Sequence, residues 1–213
     1  MKTNKTTDQS AEQLYQIHLN AINLFAVGDI NQGTQILLQL LRLDPKDPHV
    51  DHIKGFRLCQ LGLHEEAIPL LRRAAGLLPQ NRTEPRLTLA IAMMGTGRLS
   101  EAESLLEVSL ANAPHCPLSQ MSLAVCLLEL QKTPERVEQL LREADRRLPN
   151  TQALLANLGR ALALQGKVDE ADMVFKRAIA LAPDSSIVAT IIAFYPHLAR
   201  RPATARPFDP SLN

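Results

Sequence analysis

The chain has 213 residues, of which 46% are hydrophobic and 3% aromatic, with no Trp. That is enough apolar material for a sizeable core, but one assembled from Leu, Ala and Ile, which favours closely packed helices. Lys plus Arg (23) nearly cancel Asp plus Glu (22), so the basic excess that phosphate neutralisation demands of a nucleic-acid binder is missing.

Residues 1–11 are polar, lack the apolar stretch of a secretory signal and read as a flexible lead-in. Beyond them, Leu- and Ala-rich stretches alternate with short breaks at Val27-Gly28-Asp29, Leu61-Gly62-Leu63, Thr96-Gly97-Arg98, Gln131-Lys132-Thr133 and Gln165-Gly166-Lys167. Glycine past a helix end supplies a left-handed cap at little steric cost. About seventeen residues after each break stands a proline (Pro45, Pro79, Pro114, Pro149 and Pro183), at intervals of 34, 35, 35 and 34 residues. Each unit therefore reads as helix, tight turn, helix and a proline stop. The units cover about 14–47, 48–81, 83–116, 118–151 and 152–185, within one domain over 12–199.

Pro48, Pro85, Pro117 and Pro134 fall in first turns, where a missing N–H costs nothing, and Ser100 with Glu103 reads as a capping box. In the fourth unit Lys132 stands at the turn-glycine position, and Ala124 implies one extra residue before the second helix. A capping helix follows over 186–199, where Ile187, Ile191, Phe194 and Tyr195 put apolar residues on more than one side. Such an excess suggests a homodimer contact or a docking surface. The tail, 200–213, holds three prolines and is expected to be flexible.

The period and residues resemble the tetratricopeptide repeat (TPR) family, whose pattern is W-x2-L-G-x2-Y…A-x3-F…P. The fifth unit fits best, with Leu155, Leu158, Gly159, Leu162, Ala171, Phe175 and Pro183. The second keeps Gly55, Leu58, Ala67, Leu71 and Pro79; the first keeps Ala21, Leu24, Gly33, Leu37 and Pro45. The resemblance implies an all-α fold, a right-handed superhelical solenoid of helix-turn-helix repeats whose first helices line a concave groove. It also implies a non-catalytic scaffold or adaptor without cofactor, holding a segment of another protein. The alternatives are a dedicated chaperone for a secreted or assembled client, or a regulatory or substrate-recruiting subunit acting in trans with a modifying enzyme such as a glycosyltransferase.

On that geometry the partner-binding positions are Tyr15, His18, Ile22 and Phe25, then His49, His52 and Phe56, then Leu87 and Ile91, and finally Arg160. This lining suits an apolar or amphipathic segment, with Phe56 as anchor. The competing expectation is that Phe25, Phe56 and Ile91 pack between repeats. The carboxylate clamp of chaperone-binding TPR domains needs Lys and Asn, then Asn, then Lys and Arg on successive first helices, and no frame of this chain supplies them. His18, His49 and His52 could together face Zn²⁺, but no carboxylate or thiol is placed to support them, so hydrogen bonding is the expected role. Cys59, Cys116 and Cys126 have neither metal nor redox spacing, which suits free thiols in a reducing, cytoplasmic setting. The uncharged run Ser185–Leu198 is too short to span a bilayer, which takes ~20 residues.

Overall fold

The computed structural model describes residues 3–44 and 46–199, and only the backbone of 3–11 and Leu43. Pro45 and the tail 200–213 lie outside the described residues. The described chain is all-helical: α1 (Thr3–Ala26), α2 (Ile30–Leu43), α3 (Pro48–Gln60), α4 (His64–Leu77), α5 (Glu84–Gly95), α6 (Leu99–Asn112), α7 (Pro117–Glu129), α8 (Pro134–Arg147), α9 (Gln152–Leu164), α10 (Val168–Leu181) and α11 (Ser186–Phe194). A 3-10 turn, Pro196–Ala199, follows. Because α1 begins at Thr3, the backbone of residues 3–11 continues the first helix instead of forming a separate lead-in. No described helix is long and apolar enough to cross a membrane.

The chain divides into two compact units, residues 1–114 and 115–213. The first holds three hairpins, α1–α2, α3–α4 and α5–α6; the second holds α7–α8 and α9–α10, followed by α11. Within each unit the backbones of helices approach only elements one or two places away along the chain.

The turns show why the hairpins close where they do. Gly28, Gly62, Gly97 and Gly166 take φ between 75° and 86°. In each, the N–H of the next residue returns to a carbonyl five residues back, as Arg98 does to Met93 at 2.9 Å. In the fourth hairpin Gln131, not Lys132, occupies this left-handed position, at φ 54°, and Lys132 makes the equivalent bond to Leu127. The extra residue lies in this turn, where Thr133 is also left-handed, at φ 34°, before Pro134 opens α8. The expected capping box at Ser100 does not form. α6 starts at Leu99 with Arg98 in the cap position, which leaves Ser100 inside the first turn. Side-chain caps occur instead at Asp29 on Gln32, Asp47 on His49 and Ser185 on Val188.

Small residues let the two helices of a hairpin approach. Gly55 of α3 faces Leu71 of α4, and a Cβ at Gly55 would lie 2.5 Å from that side chain; Gly159 of α9 faces the Phe175 ring of α10 at the same distance. The first hairpin reverses the arrangement, with Gly33 on the second helix receiving Phe25 from the first. Leu71 and Phe175 are each 99–100% buried, and each such side chain contributes about 1.5–3 kcal/mol through removal from water.

A candidate binding groove

Much of the expected partner-facing lining is interior in the first unit. Tyr15, His18, Phe25, His52 and Leu87 are buried, while Ile22 and Phe56 are half-buried against the cluster of Ala21, Phe25, Leu40, Val50 and Ile53. His49 is half-buried and its Nδ1 lies 2.8 Å from Asp47. Of the positions expected in this unit, Ile91 is the exposed one.

The burial has an identifiable cause. Arg86, itself buried, donates to the Gln80, Arg82 and Ala75 carbonyls, which fixes the connection between α4 and α5. That connection lays the Arg82 guanidinium 3.5 Å over the Tyr15 ring, a cation–π contact. Beneath it the rings of His18 and His52 lie 4.7 Å apart. Thr88 donates to the Glu84 carbonyl, so its oxygen accepts from His52 Nε2 at 2.9 Å. His52 Nδ1 is then an acceptor, served by His18 Nε2–H at 2.6 Å. The direction of this relay assigns both rings as neutral Nε2–H tautomers. Burial, reinforced by the neighbouring histidines, pushes His18 down to about 2 and His52 to about 3. The histidines are thus spent on hydrogen bonds. Among the described residues no three His, Cys, Asp or Glu side chains form a set able to hold a metal ion.

The second unit carries an open site. Ala153, Ala156, Asn157, Arg160 and Leu164 form one stripe on α9; Ile187, Thr190, Ile191 and Phe194 form another on α11. Both follow the three-and-four spacing that puts residues on a single helical face. Between the stripes lies a groove of about 430 Å³, whose lining is completed by Phe175 and Tyr195. These two rings pack against each other at a tilt of 37°, with centroids 4.5 Å apart. The alanines leave the space and the aromatics make it apolar.

Phe194 is 77% exposed and Leu164 is 61% exposed, so large apolar groups meet water at the rim. Arg160 is the charged residue of the lining, and its guanidinium donates to Glu129 of α7 at 2.9 Å. Asn157 spends its amide on the Ala153 carbonyl, and Thr190 donates to Ser186. The expected partner residue Arg160 and the expected docking residues Ile187, Ile191, Phe194 and Tyr195 therefore share one site. Sequence reasoning had divided them between two surfaces. Leu164, Phe175 and Thr190 were missed altogether, although the spacing 187, 190, 191, 194 signals Thr190.

The basic residues of α8 are engaged in ion pairs outside the groove. Arg142 pairs with Glu138 at 2.7 Å and Glu170 at 2.8 Å, Lys167 joins Glu138 at 2.7 Å, and Arg146 pairs with Glu143. Burial alone would raise the Glu138 carboxyl, but hydrogen bonds from Lys167, Arg142 and Gln165 win and bring it to about 2.

Models of the tetratricopeptide repeat match residues 58–126 and 154–189. No curated protein sequence matches the chain. Among solved structures, the fold is similar to TTC0263, a thermophilic TPR protein of Thermus thermophilus, at 18% identity and TM-score 0.64, covering 87% of this chain and 98% of that one. It is also similar to YrrB, described as a TPR protein with an unusual peptide-binding site, at 14% identity and TM-score 0.58, covering 91% and 98%. A third likeness is to the Cut9–Hcn1 hetero-tetramer of the APC/C, at 21% identity and TM-score 0.71, over 91% of this chain and 38% of that one. The repeat period, the left-handed turns, the glycine–aromatic contacts and these matches agree, and the chain belongs to the tetratricopeptide repeat family.

Proposed function

We propose that the chain is a non-catalytic protein-interaction scaffold that seats an apolar or amphipathic segment of a partner protein in the groove between α9 and α11. The observation that carries this reading is the groove itself: two parallel stripes of side chains, an alanine and aromatic lining, and solvent-facing Phe194 and Leu164 at the rim. The Ala153–Leu164 stripe spans about 17 Å, room for roughly three turns of an added helix. Helix-in-groove recognition needs such an apolar trough, and buried aromatic anchors commonly cost about 2 kcal/mol or more when truncated. The peptide-binding site named for YrrB, in a similar fold, supports the same class of function.

The test is capture of partners from native lysate by the wild type and by Ala156→Arg, with helical content checked by circular dichroism. Proteins retained by the wild type and lost by the folded variant are expected. Equal recovery by both would sink the groove as the binding site.

A further inference from the structure

Resting on that reading of the groove, we infer that a second copy of this chain fills it until a partner does, laid trough on trough about a two-fold axis that turns one trough end for end over the other. Three observations carry this. The first is the order of shapes along the groove. Gln152, at the start of α9, donates to the Ala178 and Ala182 carbonyls at the end of α10, so α11 begins beside the start of α9. Gly159 faces the Phe175 ring and Tyr195 packs against that ring, so α11 ends level with Arg160. The two helices therefore run the same way, and the groove between them is uneven. It is low where Ala153 and Ala156 lie and raised at the other end, where Phe194 and Leu164 stand mostly in solvent. A reversed copy sets each raised end on the other's low end, so one set of residues supplies both knob and hole. A helix with a uniform apolar face would fill the low end and leave Phe194 uncovered.

The second lies at the middle of the trough, where the axis makes a residue meet its own copy. The midpoint of the Ile187–Phe194 stripe falls at Thr190, which is exposed and spends its hydroxyl on the Ser186 carbonyl. A side chain that small lets α11 approach its symmetry mate closely. The third is charge. Arg160, the charged residue of the lining, already has Glu129 at 2.9 Å. The lining thus presents no unanswered charge, and it complements a face as neutral and apolar as itself. Two helices wide and about 17 Å long, the trough buries on the order of 800 Å² from both copies together. That is below the ~1,200 Å² of a stable complex, so the pair forms and parts with concentration and leaves the groove accessible to a partner.

Sedimentation equilibrium of the full chain is expected to show monomer and dimer with no larger species, because a two-fold contact closes on itself. Phe194→Ala removes the knob and Ala156→Arg blocks the hole. Each should weaken dimerisation by about ten-fold or more with native circular dichroism. An equimolar mixture of the two variants should dimerise better than either alone, because the Phe194 of one meets the Ala156 of the other while the blocked hole faces the missing knob. Thr190→Cys should cross-link to its own copy on mild oxidation, beyond the level set by the native cysteines, and Thr34→Cys, exposed on α2, should not. A chain that stays monomeric up to its highest soluble concentration would overturn the proposal, as would a dimer that both variants leave intact. A mixture no better than its components would also overturn it, by removing the reversed arrangement. Partner capture at low chain concentration separates the two readings. If the chain is monomeric throughout while Ala156→Arg still abolishes capture, the second copy is excluded and the groove serves partner segments alone. If Ala156→Arg abolishes dimerisation but captures as much as the wild type, the partner site is what fails.

Discussion

The His18–His52–Thr88 relay shows how much one buried polar chain constrains. Both imidazoles are neutral donors through Nε2, and protonating either would put a charge beside Tyr15, His49 and the Arg82 guanidinium without a carboxylate in the relay. Their folded values, about 2 and about 3, lie below the ordinary imidazole range near 6.5. Between those limits the unfolded chain holds protons that the folded chain refuses, so stability rises with pH there and falls as pH drops below about 6.5. Each histidine contributes at most about 1.4 kcal/mol per pH unit. The pair should therefore lower stability by about 2–3 kcal/mol between pH 7.5 and pH 5.5. Urea midpoints at the two pH values measure this, and His18→Leu should remove about half of the dependence. An unchanged midpoint in the wild type would show that the folded protein accommodates the charge. The hydrogen-bonding role of these histidines was legible in sequence, and their burial was not. His18 and His52 have the spacing of groove residues, and what closes them is Arg82, carried by a connection that no helical pattern describes.

At the scale of the helix, close approach was legible and open space was not. Gly55, Gly159 and the regularly spaced prolines announced the hairpins because they are backbone requirements, fixed by local geometry. Ala153 and Ala156 fall on the groove-facing spacing that also yields Arg160, but whether that face meets open space or a neighbouring helix is decided by packing that no helical pattern records. Paired substitutions separate the two roles of glycine. Gly159→Ala would place a methyl 2.5 Å from the Phe175 ring, and Tyr195 packs against that ring. The ring cannot move freely, so overpacking should cost about 1–3 kcal/mol by denaturant melting and should weaken partner capture as well. Gly76 in α4 has nothing within 4 Å of an added Cβ and needs no left-handed backbone. Gly76→Ala should instead stabilise by about 0.4–1 kcal/mol. Equal effects from the two would mean that the Gly159 contact relaxes without strain.

Across the molecule, stability is built from contacts between neighbours. Inter-repeat ion pairs such as Arg72–Glu101 and Arg98–Glu65, both 2.9 Å, are exposed on both sides. Removing either through Arg72→Ala or Arg98→Ala should change stability by less than about 1 kcal/mol. Leu106→Ala, at a fully buried position, should cost about 2–5 kcal/mol. Because helix backbones in the first unit approach only near neighbours, with Arg82 on Tyr15 as a longer-range tie, Leu40→Ala should lower hydrogen-exchange protection in α1–α3 more than in α6. Uniform loss across the unit would indicate tighter coupling than the contacts provide. The other end of the array bears on how such a protein can change in size. Tyr195 covers Phe175, and His197 reaches Asp172 of α10 at 2.8 Å, so the 3-10 turn occupies the side of α10 where the second helix of another hairpin would stack. Duplication of a 34-residue unit should therefore be better tolerated as an insertion ahead of Ser185, where each new hairpin meets a hairpin before it and α11 after it, than as an addition after Ala199.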